Sequence, residues 1–266
     1  ILRLIEPSAG SVRFMGHDVT LMPPAQLREV RRQLQVIFQD PQAALDSRMT
    51  VGKLIEEPLI IHRIGSAVER AREVARLLET VGLPAEAARR YPHEFSGGQR
   101  QRICIARALA LKPELIVADE PVSALDVSIQ SQVLNLLSDL QRERGLSYLF
   151  ISHNLAVVKY MSDAVAVMYL GRVVEMGDAA QVFGDPKHPY TQALLAAIPE
   201  PEPPSEQTPP AVPLLGELPS PEQLPGGCRF HTRCVHAMER CRTEAPAPLQ
   251  VGTSARAHWV ECHLWA

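Results

Sequence analysis

The sequence predicts an α/β protein, and three observations carry the prediction. ELIVAD (114–119) and LSYLFISH (146–153) are nearly continuous apolar runs of strand length, as in parallel strands covered on both faces. Between them QSQVLNLLSDLQRERG (130–145) has helical periodicity and ends on glycine, so the three segments make a right-handed βαβ crossover. At 46% hydrophobic residues over 266 positions, the chain can bury one α/β core and a smaller appendage.

The remaining elements follow in order. GSVRF (10–14) and QLQVIF (33–38) read as strands, and residues 67–81 carry a helical apolar pattern that stops at Gly82. Ser96 opens another helix, with Gln99 at capping-box spacing, and Pro113 closes it. AVAVMYLGRVVEM (164–176) reads as a hairpin turning near Leu170 and Gly171. Residues 199–225 hold ten of the 23 prolines and predict an extended linker, followed by a cysteine-bearing segment over 226–266. No internal repeat is present.

Composition narrows the function. A net charge of −3 argues against a nucleic-acid footprint over the domain, so a nucleotide would be held at a local site. No apolar stretch reaches the length of a membrane span and no signal peptide is visible, which predicts a soluble, intracellular protein. The first residue is Ile, and the sequence is expected to start inside a longer one.

The chemistry-bearing residues cluster at segment ends. LIVADEP (115–121) ends a strand with two acids, and parallel sheets bind ligands at the carboxyl ends of their strands. There Asp119 would hold Mg²⁺ through water and Glu120 would act as general base on an attacking water; a helix cap beside a solvated acid is the plainer alternative. His153 ends the next parallel strand, where an imidazole could contact a γ-phosphate, and Gln39 ends a third, QVIFQ. SALD (123–126) reads equally as an N-cap sequence with Asp126 starting a helix. In FSGGQRQR (95–102), two glycines at a helix start beside arginines predict a backbone that approaches an anion, yet no lysine stands where a phosphate loop would place one.

In this order, Gln39, SGGQ, LIVADEP, SALD and His153 resemble the ATP-binding-cassette (ABC) ATPases, over residues 1 to about 180. The resemblance implies a P-loop NTPase-like core, incomplete at its start, with a helical subdomain over about 44–105 and a helical segment over 181–198. It implies ATP and Mg²⁺, with Gln39 as the Q-loop, Ser96, Gly97, Gly98 and Gln99 as the signature, Asp119 and Glu120 as the Walker B pair, Asp126 as the D-loop and His153 as the switch histidine. In the family's head-to-tail dimer, the signature loop of one subunit caps nucleotide held by the other, so the lysine belongs to the opposing subunit's phosphate loop. The family's own loop, G-x-x-G-x-G-K-[ST]-T, is expected just before ILRLIEPSAG and is absent. A truncated sequence or a pseudo-ATPase would explain that, and the non-Met start favours truncation; the fragment alone is expected to be inactive.

FQDPQAALDSRMTVGKLIEEPL (38–59), YPHEFSGGQRQRICIARAL (91–109), ADEPVSALDVSIQSQVLNLL (118–137) and KHPYTQALLAAIPEP (187–201) resemble the second ATPase subunit of oligopeptide and dipeptide importers. That resemblance implies a homo- or heterodimer with another ATPase subunit, two transmembrane permease subunits, an indirect link to a substrate-binding protein, and a peripheral place on the cytoplasmic face of the inner membrane. It implies a groove that receives the permease near residues 40–60, where Leu45, Met49, Val51, Leu54 and Ile55 could line it or simply form the subdomain core. A soluble cassette ATPase of translation or DNA repair and a non-catalytic partner subunit are the alternatives. Such soluble proteins usually carry two cassettes or a long coiled coil, and this chain has neither.

Cys104 lies in the helical run and reads as core. Cys228, Cys234, Cys241 and Cys262 are spaced C-x₅-C-x₆-C-x₂₀-C, and four thiolates can hold Zn²⁺ or a [4Fe–4S] cluster. His231, His236, His258 and His263 lie close by as substitute ligands, and reduced buried thiols are the plainer reading. Importer subunits similar to this one carry such a tail, with an iron–sulfur cluster attributed to some. The tail has few large apolar residues, so a metal staple is expected to replace a core.

Overall fold

The sheet that carries the acids is assembled as its sequence periodicity requires. The computed structural model describes residues 1–198, 216–217, 219–220, 222–252 and 257–266. Most of the expected proline linker lies outside the described residues. The chain divides into two compact units, Ile1–His153 and Asn154–Ala266.

In the first unit, β1 (Arg13–Phe14) pairs antiparallel with β2 (His17–Asp18) across Met15 and Gly16, both at positive φ. The sequence reading found only the first arm, because two residues of His-Asp carry no apolar pattern. α1 (Pro24–Gln33) begins on proline, whose missing N–H is no loss in a first turn, and runs directly into β3 (Leu34–Ile37). α2 (Pro41–Ala44) is capped by the Asp40 carboxylate on the Gln42 N–H. α3 (Val51–Ile61) and α4 (Ala67–Thr80) form a helical layer over Val51, Leu54, Ile55, Leu77 and Leu78, all essentially inaccessible. A reciprocal Ser66–Glu69 capping box fixes the start of α4. Of the five residues that could line a groove, Leu45, Val51, Leu54 and Ile55 are buried, so they form core.

α5 (Gly97–Leu109), β4 (Leu115–Asp119), α6 (Val127–Arg144) and β5 (Ser147–Ile151) complete the unit. The sheet order is β3-β4-β5, all parallel, with Ile37 beside Ala118 and Asp119 beside Ile151. The carboxyl ends of three strands therefore share one edge. α5 buries Ile103, Ile105 and Leu109 against this sheet's layer, and Cys104 is buried with them as read, its thiol pushed up to about 11 by burial. One expectation is corrected. β4 is covered, but β5 alternates, leaving Leu149 and Ile151 exposed. Among the described residues β5 pairs with β4 alone, and apolar composition does not tell which faces and sides of a strand are covered.

In the second unit, α7 (Leu155–Met161) is capped by Asn154. β6 (Ala164–Tyr169) and β7 (Arg172–Asp178) form the expected hairpin; Leu170 and Gly171 both take positive φ, as a two-residue turn of matching twist requires. α8 (Ala179–Gly184) and α9 (Pro189–Ala196) follow, then α10 (Arg240–Thr243), β8 (Leu249–Val251) and β9 (His258–Val260). β9 pairs with β7, giving an antiparallel sheet β6-β7-β9-β8. From the cysteine segment Phe230 joins a core otherwise built by buried residues between Val165 and Val182, packing edge-on to Tyr169 at 5.2 Å and beside Tyr190 at 5.4 Å. Beneath it, buried Glu175 accepts from His258 Nε2 at 2.7 Å, from Lys187 N–H at 2.7 Å and from His188 N–H at 2.9 Å.

Candidate active site at the carboxyl edge of the parallel sheet

Three side chains carried by three neighbouring strands meet, with Gln39 and His153 both reaching Glu120. Gln39 follows β3 by two residues, and its Nε2 donates to Glu120 Oε2 at 2.9 Å. His153 follows β5 by two residues, and its Nδ1 lies 3.0 Å from Glu120 Oε1. Parallel register favours this meeting: Ala118 stands beside Ile37 and Phe150, and Gln39, Glu120 and His153 lie two, two and three residues beyond that row. The His153 hydrogen bond holds the Glu120 carboxyl below the usual carboxylate range; Ser123 and Gln39 add to this and burial opposes it. Glu120 is thus a carboxylate at neutral pH and can only accept, so Nδ1 of His153 carries the proton and Nε2 stays available on its exposed side.

The Glu120 backbone is unusual. Its φ is +44°, a left-handed conformation that costs an ordinary residue about 1–2 kcal/mol. The loop holds it there: Glu120 N–H donates to Ile151 O at 3.0 Å, and Ser123 Oγ donates to Glu120 O at 3.0 Å. Sequence reading missed this duty of Ser123; a serine three residues after a strand-end acid is the signal available.

Asp119 ends β4, and its carboxylate has no hydrogen bond or ion pair among the described residues. A part-exposed, unpartnered carboxylate beside the Glu120 cluster suits a hard cation held through water. Asp126 stands at the N-cap of α6 as expected, but its side chain makes no cap bond and is exposed.

The glycine-rich loop is built by a reciprocal capping box. Ser96 N–H donates to Gln99 Oε1 at 3.0 Å, and Gln99 N–H to Ser96 Oγ at 3.4 Å. The two glycines differ. Gly97 is exposed, and a Cβ there would meet only Leu125 Cδ2, at an ordinary 3.5 Å. Gly98 is buried, and a Cβ there would approach Ile129 Cγ2 closer than 3.0 Å. One glycine leaves backbone open to a ligand, and the other is required by packing against α6. Arg100 braces the loop through Pro92 O at 2.8 Å.

In the second unit the four tail cysteines are free thiols close enough for Cys262 to feel the other three. Burial raises the thiols of Cys228 and Cys234, and that of Cys262 to about 11. Among the described residues no three His, Cys, Asp or Glu side chains form a group that could hold a metal ion. The donor chemistry suits a sulfur-ligated centre; the geometry, with protonated thiols, is not that of a closed ligand set.

A family model described as ABC transporter matches residues 1–123, and one described as oligopeptide/dipeptide transporter, C-terminal region, matches 174–241. A protein of Brucella ovis provisionally named as a peptide import ATP-binding protein is 54% identical over 246 residues, 92% of this chain and 77% of that protein. The oligopeptide transport ATP-binding protein AppF of Bacillus subtilis is 49% identical over 267 residues, 100% of this chain and 80% of AppF. Among solved structures, the ATP-binding cassette MJ0796, a dimer in a post-hydrolysis state with ADP and Pi, aligns with TM-score 0.59 at 29% identity, covering 66% of this chain and 76% of that one. CbiO1 of Clostridium perfringens, part of the ABC transporter complex cbiONQ, aligns with TM-score 0.62 at 26% identity, covering 69% and 72%.

Proposed function

We infer the function from a premise of kinship: the chain belongs to the ATP-binding subunits of ABC transporters, in the oligopeptide/dipeptide branch. It is an ATPase subunit, and we propose that it energises uptake of oligopeptides or dipeptides through a membrane permease. The observation that carries the proposal is the Gln39–Glu120–His153 cluster, which the plain alternative of a solvated acid does not explain.

In this proposal Glu120 is the general base. It is ionised, oriented by two neighbours, and able to accept a proton from a water drawn to the strand edge. Gln39 and His153 hold the carboxylate between turnovers, and the exposed His153 imidazole stands at the strand edge where a terminal phosphate would be met. Asp119 would hold Mg²⁺ through water; that ion, when bound, neutralises charge on the phosphates. Gly97 and Gly98 present the amide N–H groups that the Ser96–Gln99 capping box leaves unused, at a helix N-terminus facing nucleotide held by a second ATPase subunit, and Asp126 stands beside them at the same interface. No lysine-bearing phosphate loop occurs within the 266 residues, so nucleotide binding needs a loop these residues do not supply.

The partners that follow are a second ATPase subunit, two permease subunits and, through them, a substrate-binding protein, on the cytoplasmic face of the inner membrane. No helix among the described residues is long and apolar enough to cross a membrane, which suits a peripheral subunit. Residues 1–180 would form the cassette, with 226–266 as the cysteine-bearing extension.

The test is Glu120→Gln in the complete transporter. ATP turnover should fall about 10²–10⁴-fold while ATP stays bound, because only water activation is lost. Near-normal turnover would remove Glu120 from the role. The four cysteines are proposed to hold a [4Fe–4S] cluster, with Zn²⁺ as the alternative, on the ground that the tail supplies a complete set of four sulfur donors, all free thiols. Anaerobic purification with iron, sulfide and zinc analysis decides; about four irons per chain supports the cluster, about one zinc the alternative. Neither metal, with the tail unchanged in a four-serine variant, would show ordinary thiols.

A further inference from the structure

The opposite edge of the parallel sheet holds a second concavity, of about 420 Å³, lined by Glu73, Arg76, Lys112, Glu114 and Arg144 over Leu109, Pro113 and Leu146. Three cations share it with two acids, in a chain whose net charge is −3. Glu73 is already committed: it receives Arg76 Nε at 2.8 Å and Arg76 Nη2 on its other oxygen. Arg144 makes one hydrogen bond, from Nη2 to Thr80 Oγ1 at 3.3 Å, leaving most of its five N–H donors without protein acceptors. Lys112, exposed, has no ion pair among the described residues, nor has Glu114. Burial and the like charge of Arg76 act against the Arg144 cation, and Glu73 and Glu143 act for it from a distance, without a direct ion pair to Arg144 among the described residues. The Tyr148 hydroxyl, close enough to interact with Arg144, is buried and unbonded.

We propose that this concavity is a binding site for a small multivalent oxyanion of the phosphate class, held by Arg144, Lys112 and Arg76. A planar fork with spare donors, a mobile ammonium and a second guanidinium match a tetrahedral anion's several oxygens. The site is distinct from the Glu120 cluster. β4 separates the two by its five residues, about 13 Å at strand rise. Its place in the topology gives it consequence. Leu109 ends the helix that begins at the glycine loop, Arg144 ends the helix that begins at Asp126, and β4 and β5 run from this edge to Glu120 and His153. An anion here therefore grips the far ends of the four elements that carry the candidate active site.

The test titrates inorganic pyrophosphate into the complete protein at constant ionic strength, with saturating MgADP to occupy the nucleotide site, and reads affinity by calorimetry. Arg144→Gln should weaken binding about tenfold or more, the size of one lost charge-assisted contact. Lys112→Asn, which tolerates the left-handed backbone at position 112 (φ +52°), should weaken it similarly without disturbing the fold. Glu120→Gln should leave it unchanged. No measurable binding, affinity unchanged from that of the unsubstituted protein in both cation variants with folding verified by circular dichroism, or a loss caused by Glu120→Gln would overturn the proposal.

Discussion

Gly98→Ala is the sharpest test of how the glycine-rich loop is built. The added Cβ would fall inside 3.0 Å of Ile129 Cγ2, a β-branched side chain on a helix with little rotamer freedom. Something must shift, either α5 away from α6 or Ile129 off its rotamer. Overpacking of this kind costs about 1–3 kcal/mol, against a helix-propensity gain of at most about 1 kcal/mol. For a chain of this size each kcal/mol lowers Tm by about 2–4 °C, so a net loss near 1–2 kcal/mol predicts a fall of about 2–8 °C in calorimetry. Ile129→Ala removes the atom that clashes, so Gly98→Ala should cost less in that background, with a coupling of about 1 kcal/mol or more. Gly97→Ala should leave Tm unchanged, since its Cβ meets only Leu125 at 3.5 Å, and should act on ATP turnover alone. Gly98→Ala with unaltered Tm, or with the same loss in the Ile129→Ala background, would refute the packing explanation.

Two further outcomes follow from the charged groups. His153→Ala removes the main cause of the lowered Glu120 pKa; a depressed carboxyl stabilises the fold above its unfolded pKa and loses that contribution as pH falls through the folded value, so the variant should be less stable at neutral pH and lose less stability on acidification, and superimposable acid-unfolding curves would count against the contact. His258→Ala leaves Glu175 buried without its side-chain partner and should cost about 3–5 kcal/mol in thermal unfolding of the second unit; a loss below about 1 kcal/mol would mean that the two backbone N–H donors suffice.

Much of this site was legible in the sequence because it lies at ends. Glu120 and His153 stand just beyond apolar runs of fixed length, and parallel register carries such residues to one edge whatever the rest of the chain does. Ser96 and Gln99 were legible because a capping box is local chemistry. What stayed hidden depends on contacts between elements distant in sequence. The Gln39–Glu120 bond spans 81 positions, and no pattern in QVIFQ announces it. The different duties of Gly97 and Gly98 are set by which one faces Ile129, a matter of helix crossing rather than composition. Exposure of β5 was misjudged for the same reason: it is decided by the neighbour present or absent, not by the residue itself.

The contact between Gly98 and Ile129 acts as a fitted joint. α5 and α6 meet at their amino-terminal turns, where the missing side chain of Gly98 makes the room that Ile129 fills. The glycine loop and the Asp126 loop are therefore packed through one contact, and a change in the crossing of the two helices would be felt at both.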